Sequence, residues 1–359
     1  MKQWKNLLLT LAAWLASTLA AAPLAAETLL VVRKTDDALD FVDPGSGLRL
    51  ASVPLGHAPH EVSVAPDGLR AVVTNYGTRE QPGSTLSIVD LEQARELRRI
   101  DLAPHTRPHG VAWYAPDRIA VTAEGSKHLL VVDPDAGRVV SAVGTARETS
   151  HMVAVSRDGT RAYVTSIGSG TTTSIDLAAG RSLGDVSTGG GSEALALTPD
   201  GRELWVAARA DGHVAVVDTA TLEVKARLPL PGMPIRIAIT PDGSTALVTC
   251  AGAGELVAYD VPSRRERARR RVEVPLATGA GDRPFARLAP GSVLPVGLLV
   301  ARDGRSAYVA ATMGDQVVQY DTTTLEFRRR IEVGGEPDGL GSTPVMPRAP
   351  CHGCRPAAD

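Results

Sequence analysis

The sequence has few cysteines, little excess charge and few periodic segments of helical length, and each shortage narrows the class of protein. Three cysteines in 359 residues cannot build a disulfide-rich scaffold. A net charge of −2 provides no basic field for nucleic acid or anionic lipid. In contrast, 35 glycines and 25 prolines suit many short strands joined by turns. The composition therefore favours one large all-β domain.

Long apolar runs are also absent, except at the N-terminus. Lys2 and Lys5 precede an apolar run over 7–22, and two alanines follow, which is the order of a secretory signal. Residues 1–26 are therefore predicted to be a signal peptide, although Leu24 leaves an earlier cut or an uncleaved anchor open. The mature chain is expected to be periplasmic or secreted, with no membrane span.

The C-terminal segment 348–359 is rich in proline and contains Cys351 and Cys354 as a CxxC motif. Haem attachment is excluded because Arg355 stands where that motif requires histidine. We predict a disordered tail with a small disulfide loop; the alternative is a metal-capturing tail that adds His352 to the two thiols.

An apolar pair followed by aspartate recurs along the chain at intervals of 47, 43, 43, 42, 42 and 61 residues. Asp-Gly turns repeat with the same rhythm, and each period contains four short strand-like segments. A period near 42 with four strands per repeat predicts a β-propeller. The repeated aspartates themselves are expected to cap turns; they are Asp43, Asp90, Asp133, Asp176, Asp218, Asp260 and Asp321.

The two ends of the chain hold incomplete repeats. Three strands are predicted at 28–33, 38–42 and 48–54 without an inner strand before them, and a lone segment remains at 337–345. Together these segments make one blade. The sequence thus predicts a seven-bladed propeller over 27–347, with the last strand as the inner strand of the first blade.

The repeats AVVTNYG, AYVTSIG and ALVTCAG, with their VVD strands and PDG turns, resemble the YVTN-type repeat family of seven-bladed β-propellers. The resemblance covers nearly all of residues 28–345. It implies a secreted propeller in a family that includes binding modules, enzyme subunits and lactonase relatives. The fold alone does not decide among these functions.

Ionisable residues recur at one position, the start of each inner strand. We expect these side chains to clear the packing between blades and to face the mouth of the central channel. Five consecutive blades carry ionisable groups there, and two carry apolar ones. In order around the ring they are Asp338, His60, His109, His151, Glu193, Ile235 and Val296.

Imidazoles and carboxylates at a channel mouth indicate a site for a metal or a small ligand. His60, His109 and His151 are the predicted ligands of a divalent transition metal. Ligands on adjacent blades could lie too far apart to share one ion. His57 and His105, in the loops before two inner strands, could then supply closer ligands.

A second interpretation is an anionic small molecule bound by the histidines. The predicted ligand-binding set is His60, His109, His151, Glu193, Arg236 and Asp338, with Arg236 as a fixed charge. The alternative without a ligand is a water-filled channel that is simply lined by polar side chains.

These observations predict an exported binding module with a histidine-rich site at the channel mouth. A lactonase-like hydrolase that uses the same ring is one alternative. A protein-interaction scaffold without pocket chemistry, binding a periplasmic protein, is the other.

A Gly- and Pro-rich insertion at 277–296 is expected to cross the face that carries the histidines. It is either a lid or a tolerated surface loop, and Arg283 and Arg287 are its charges. The arginine runs at 264–271 and 328–330 are expected to keep exposed outer strands from pairing with other chains.

Overall fold

The computed structural model describes residues 27–348, which form 28 strands in seven four-stranded sheets. The predicted signal peptide and the cysteine-containing part of the tail lie outside the described residues. Within the described part of the chain, no helix is long and apolar enough to cross a bilayer.

The strands follow the repeats in chain order. The chain opens with β1 (Thr28–Arg33), β2 (Ala38–Val42) and β3 (Arg49–Pro54). Blade 2 contains β4 (Pro59–Val64), β5 (Arg70–Gly77), β6 (Pro82–Asp90) and β7 (Arg95–Asp101). Blade 3 contains β8 (Pro108–Ala115), β9 (Arg118–Ala123), β10 (His128–Asp133) and β11 (Arg138–Gly144). Blade 4 contains β12 (Ser150–Val155), β13 (Arg161–Ser166), β14 (Thr171–Asp176) and β15 (Arg181–Ser187).

The second half of the ring repeats this arrangement. Blade 5 contains β16 (Ser192–Leu197), β17 (Glu203–Ala208), β18 (His213–Asp218) and β19 (Val224–Pro229). Blade 6 contains β20 (Pro234–Ile239), β21 (Thr245–Cys250), β22 (Glu255–Asp260) and β23 (Arg265–Arg271). Blade 7 contains β24 (Pro295–Val300), β25 (Ser306–Ala311), β26 (Gln316–Asp321) and β27 (Phe327–Glu332). The last strand is β28 (Pro337–Thr343).

The last strand belongs to the sheet that contains the first. β28 pairs antiparallel with β1, with Leu29 opposite Ser342 and Val31 opposite Leu340, so blade 1 has the order β28-β1-β2-β3. The first strands of neighbouring blades contact one another around the axis. The predicted seven-bladed architecture with four antiparallel strands per blade is confirmed.

Apolar side chains between adjacent blades form the core. The middle strands of each blade are buried on both faces and rich in Val, Ala and Leu, as expected for a sheet covered by its neighbours. Between blades 5 and 6, Trp205 packs edge-to-face against Tyr259 with ring centroids 6.1 Å apart. The repeated aspartates cap turns: Asp133 accepts hydrogen bonds from the backbone N–H groups of Asp135 and Ala136 at 3.0 and 2.8 Å.

The insertion lies between β23 and β24 and contains two short 3-10 helices, Ala280–Asp282 and Pro284–Arg287. A third 3-10 turn, Thr312–Gly314, follows β25. Ala280 and Leu294 of the insertion are buried in one cluster with Ile235 at the channel mouth. The insertion therefore packs over the end of the channel where the inner strands begin.

Candidate functional site

Two rings of side chains meet at this end of the channel. The first ring is the predicted one, at the second residue of each inner strand. The second ring is formed by the residue that directly follows the second strand of each blade, except in blade 2, where β5 continues to Gly77 and the equivalent residue, Tyr76, lies inside the strand. Its members are Lys34, Tyr76, Glu124, Ile167, Arg209, Ala251 and Thr312.

The ionisable members of the first ring are buried, which corrects the expectation that they clear the packing. His109 is only 3% exposed and Asp338 only 1%, and His60, His151 and Glu193 are buried too. Sequence position places these side chains at the channel end but does not reveal what covers them. The second ring and the insertion cover them, so the site is a cavity below the surface.

The rings of the three histidines contact one another in succession, although they come from three different blades. The ring centroids of His60 and His109 are 4.3 Å apart, and those of His109 and His151 are 3.8 Å apart. The expectation that histidines on adjacent blades lie too far apart to share a ligand is therefore wrong. Glycines explain the close approach: a Cβ on Gly110 would lie 2.6 Å from the carbonyl oxygen of His151, and one on Gly339 would lie 2.5 Å from that of His60.

His151 lies between two carboxylates from neighbouring blades. Its Nδ1 donates to Glu124 Oε1 at 2.5 Å, and its Nε2 donates to Glu193 Oε1 at 2.9 Å. Burial by itself would lower the pKa of His151, but Glu193 and Glu124 outweigh burial and raise the pKa to about 9. His151 is consequently an imidazolium at neutral pH.

The two carboxylates that hold His151 have further partners. Tyr76 donates its hydroxyl to Glu124 Oε2 at 2.6 Å, and Arg209 Nη1 lies 2.8 Å from Glu193 Oε2. Burial would raise the pKa of both carboxyls, but His151 reverses that effect and lowers them below their usual range. Both groups are therefore ionised in the folded protein.

His109 has a different environment from its neighbours. Burial, together with the charges of His151 and His60, lowers the pKa of His109 well below its usual value. Its Nδ1 is buried and has no hydrogen-bond partner among residues 27–348. His109 is thus a neutral imidazole with a ring nitrogen that no described side chain satisfies.

A group of potential metal ligands includes this histidine. His109, Glu124 and His151 each offer one ligand atom, and the three atoms lie within 4.8 Å of one another. Two of the predicted metal ligands belong to this group, and His60 does not. The Nδ1 of His60 instead pairs with Asp338, which brings the first and second blades together at the ring closure.

Arg236 is not the free fixed charge that the sequence analysis expected. Its guanidinium forms a buried ion pair with Glu61, the residue after His60 on β4. Arg236 lies one residue deeper on its inner strand than the first ring, so its side chain crosses the channel beneath the histidines. Arg236 therefore lines the cavity with a charge that Glu61 already compensates.

The cavity has a volume of about 310 Å³ and two unlike walls. The polar wall consists of the histidines, Glu124, Glu193, Asp338 and the cations around them. The apolar wall consists of Ile167, Ile235, Val296 and three side chains of the insertion, Phe285, Leu288 and Leu294. The insertion thus covers the site, which favours the lid interpretation over a tolerated loop.

Of the two insertion charges, Arg283 holds the insertion against the ring. It donates to Asp315 at 2.8 and 2.7 Å, and its Nε lies 3.5 Å from Glu336. Arg287 is exposed and does not line the cavity.

The structure does not bring His57 or His105 into the cavity. His57 is half exposed and faces Asp37, at 3.4 Å from Nδ1. His105 contacts Ser126 at 2.8 Å and lies beside His128, with ring centroids 5.0 Å apart. Neither residue supplements the central group.

Sequence analysis missed Glu61, Glu124, Tyr76, Lys34 and Arg209. A signal for four of them was present, because one position near the end of the second strand is fixed in each repeat: Tyr76 follows VVTN, and Glu124 follows AVTA. The same place holds Lys34 and Arg209. The residues at this position in the seven repeats make up the second ring.

The comparisons with known proteins agree with the fold. A family model described as the cytochrome D1 heme domain matches residues 114–255, less than half of the chain. No curated protein sequence matches this chain significantly. The hydrazine synthase of Kuenenia stuttgartiensis shares 19% identity at a TM-score of 0.68, covering 88% of this chain and 100% of that one. A functionally unknown protein from Desulfotomaculum acetoxidans shares 13% identity at a TM-score of 0.72, covering 89% and 99%.

Likeness at these identities shows the propeller fold alone. The resemblance to the YVTN-type family is not confirmed by these matches and stays a prediction. The family match does include part of the candidate site, because Glu124, His151, Glu193 and Arg209 lie within residues 114–255.

Proposed function

We propose that this protein is an exported propeller that binds a divalent transition metal ion through His109, Glu124 and His151. The observation that carries the proposal is the convergence of three ligand atoms within 4.8 Å inside a buried cavity. Metal bonds to nitrogen and oxygen ligands are about 2.0–2.2 Å long. An ion would therefore replace the hydrogen bond between His151 Nδ1 and Glu124 Oε1, and those two atoms would move apart to make room for it. Two histidines with one carboxylate suit zinc, iron and related ions.

The groups around the three ligands support the same assignment. Metal-bound histidines commonly donate their other ring N–H to a carboxylate. His151 has such a partner in Glu193, at 2.9 Å from Nε2, and its Nδ1 contacts Glu124, another of the three proposed ligands. Glu124 is oriented by Tyr76 in the same way. His109 contributes a neutral ring with an unsatisfied nitrogen.

An anionic ligand is less well supported, because both arginines of the cavity and His151 already have carboxylate partners. Arg236 pairs with Glu61, Arg209 with Glu193, and His151 with two carboxylates. Hydrolysis and protein docking stay predictions, as does export, which rests on residues 1–26. Metal binding accounts for the unsatisfied His109 without requiring any reaction.

The matching family description names a haem, and the residues present do not fit one. The cavity of about 310 Å³ is at the low end of the range for small-molecule sites. Phe285 and Leu288 occupy its covered side. Haem iron needs an axial ligand beside a slot wide enough for the macrocycle. We therefore propose a bare ion.

Calorimetric titration of the metal-free protein with zinc, confirmed by elemental analysis, tests the proposal. The Cys351→Ser/Cys354→Ser variant serves as the background, because the tail thiols are alternative ligands. We expect one zinc ion per chain and a loss of affinity of about a hundredfold or more in His109→Ala or Glu124→Gln. His105→Ala is the matched control, since it removes a histidine outside the cavity. Equal affinity in all three variants would refute the ligand set.

A further inference from the structure

Lys34 is a buried amine in the cavity that the metal proposal does not use. It belongs to the second ring, on blade 1, and its side chain is 12% exposed. Its Nζ lies 3.5 Å from both ring nitrogens of His60 and 3.9 Å from Asp338 Oδ2. These are long contacts, so the amine has no close hydrogen-bond partner among the described residues.

The other surroundings of the amine are apolar. Lys34 Nζ lies 4.0 Å from the centroid of the Phe285 ring, on the wall formed by the insertion. Ile235, Val296 and Leu294 line the same cavity. An amine that is largely removed from water beside an apolar wall is in the kind of environment that activates lysine as a nucleophile.

We propose that Lys34 captures a small apolar aldehyde as an imine. The amine nitrogen would form a bond to the carbonyl carbon and give a carbinolamine. In that step one amine hydrogen moves to the carbonyl oxygen, which becomes a hydroxyl. The carbinolamine then loses this hydroxyl and the remaining hydrogen of the nitrogen as water, which leaves a C=N bond. No oxidant, reductant or metal takes part, so the inference is independent of the proposed function.

Two features suit this ligand class. The apolar wall accommodates a short hydrocarbon chain, and the cavity volume of about 310 Å³ limits the chain to a small molecule. Burial lowers the pKa of Lys34 despite the opposing carboxylates of Asp338, Glu336 and Glu61, which increases the fraction of free amine at neutral pH.

The chain has few competing amines, which makes a direct test possible. Lys34, Lys127 and Lys225 are the lysines of the described residues. Lys127 and Lys225 have side chains that are 46% and 39% exposed, and they pair with Glu148 and Asp218. They are internal controls for ordinary surface amines.

The experiment is reductive trapping of the full chain with butyraldehyde and cyanoborohydride at pH 7, followed by peptide mass mapping. We expect Lys34 to gain its butyl group at least about tenfold faster than Lys127 and Lys225, because burial lowers its pKa and leaves more of the amine unprotonated. Lys34→Arg should lose this fast labelling, and Lys127→Arg should keep it. If Lys34→Arg fails to fold, the labelling rates of the three lysines in the wild-type protein still test the inference.

Labelling of Lys34 no faster than that of the two surface lysines would overturn the inference. The experiment is carried out on chelator-treated and on zinc-loaded protein, with zinc content measured in the same samples. A chain that binds no zinc but labels rapidly at Lys34 would refute only the metal proposal, and the reverse result would refute only the imine proposal.

Discussion

Arg236 of β20 and Glu61 of β4 form a buried ion pair that joins blade 6 to blade 2 across the channel. Removing one partner of such a pair leaves the other charge buried and uncompensated. We expect Arg236→Met to lower the free energy of unfolding by about 3 kcal/mol or more. Chemical denaturation measures this change.

The matched control is Arg147→Ala, which breaks a pair with Asp185 whose side chains are 40% and 26% exposed. It should cost less than about 1 kcal/mol. The double variant Arg236→Met/Glu61→Leu should recover much of the loss, because no buried charge remains. If Arg236→Met and Arg147→Ala lowered the free energy of unfolding equally, the structural role assigned to the buried pair would be contradicted.

The pairing of β28 with β1 gives a second prediction. Deleting residues 337–359 removes the inner strand of blade 1 and exposes the edge of β1, so we expect loss of cooperative thermal unfolding. Stopping the chain after Arg348 removes only residues beyond the described propeller and should leave the melting temperature nearly unchanged. Identical melting of the two truncated chains would show that the ring does not depend on this strand.

The protonation of His151 makes zinc binding dependent on pH. Because its pKa is raised to about 9, His151 carries a proton at pH 7 that a metal at Nδ1 must displace. His109 is already neutral and Glu124 already ionised, so we expect about one proton released per zinc at pH 7.5. Affinity should rise by about tenfold per pH unit toward pH 9 and then level off.

Calorimetry in two buffers of different ionisation enthalpy gives the number of protons directly. Glu193→Gln removes a carboxylate that raises the pKa of His151, so proton release at pH 7.5 should fall below that of the wild type. Zinc binding without any proton release in the wild type would exclude His151 as a ligand that must lose its Nδ1 proton when zinc binds.

Arg283 gives a prediction about the lid. Its contacts with Asp315 and Glu336 tie the insertion to blade 7 and to the loop before β28. We expect Arg283→Ala to increase the rate of limited proteolysis within 277–294 severalfold, because the segment loses its anchor. Arg287→Ala, an exposed residue of the same segment, is the control and should leave the rate unchanged. Equal proteolysis rates for Arg283→Ala and Arg287→Ala would contradict the role of Arg283 as the anchor of the insertion.

The repeats of the sequence were sufficient to predict the propeller. A period near 42 with VVD strands and PDG turns gives four strands per blade, and the incomplete sets at 28–54 and 337–345 give the count of seven. The period is readable because every blade must bury the same faces against its neighbours. Boundaries were close too: the predicted strand at 48–54 begins at Arg49, and that at 337–345 ends at Thr343.

The candidate site was only partly predictable. The position of His60, His109 and His151 at the channel end follows from the repeat register. Their burial and their contacts do not, because these depend on how closely the inner strands approach at Gly110 and Gly339 and on the path of the insertion.

The partner of Arg236 illustrates the same limit. Glu61 is 175 residues away in the sequence and meets Arg236 only because the ring places their blades on opposite sides of the channel. No local pattern predicts such a contact. A comparison of the same repeat position around the ring could have found Glu124 and Tyr76, since those residues belong to the repeat itself.

The most direct test of the metal site is X-ray absorption at the zinc edge, together with the anomalous signal from crystals of the zinc-loaded protein. We expect one zinc ion between His109, Glu124 and His151, with nitrogen and oxygen ligands at about 2.0–2.2 Å and no sulfur at about 2.3 Å. Zinc bound through sulfur would instead place the ion on Cys351 and Cys354. An ion beside His105 and His128, or no ion at all in protein exposed to excess zinc, would equally contradict the proposed site.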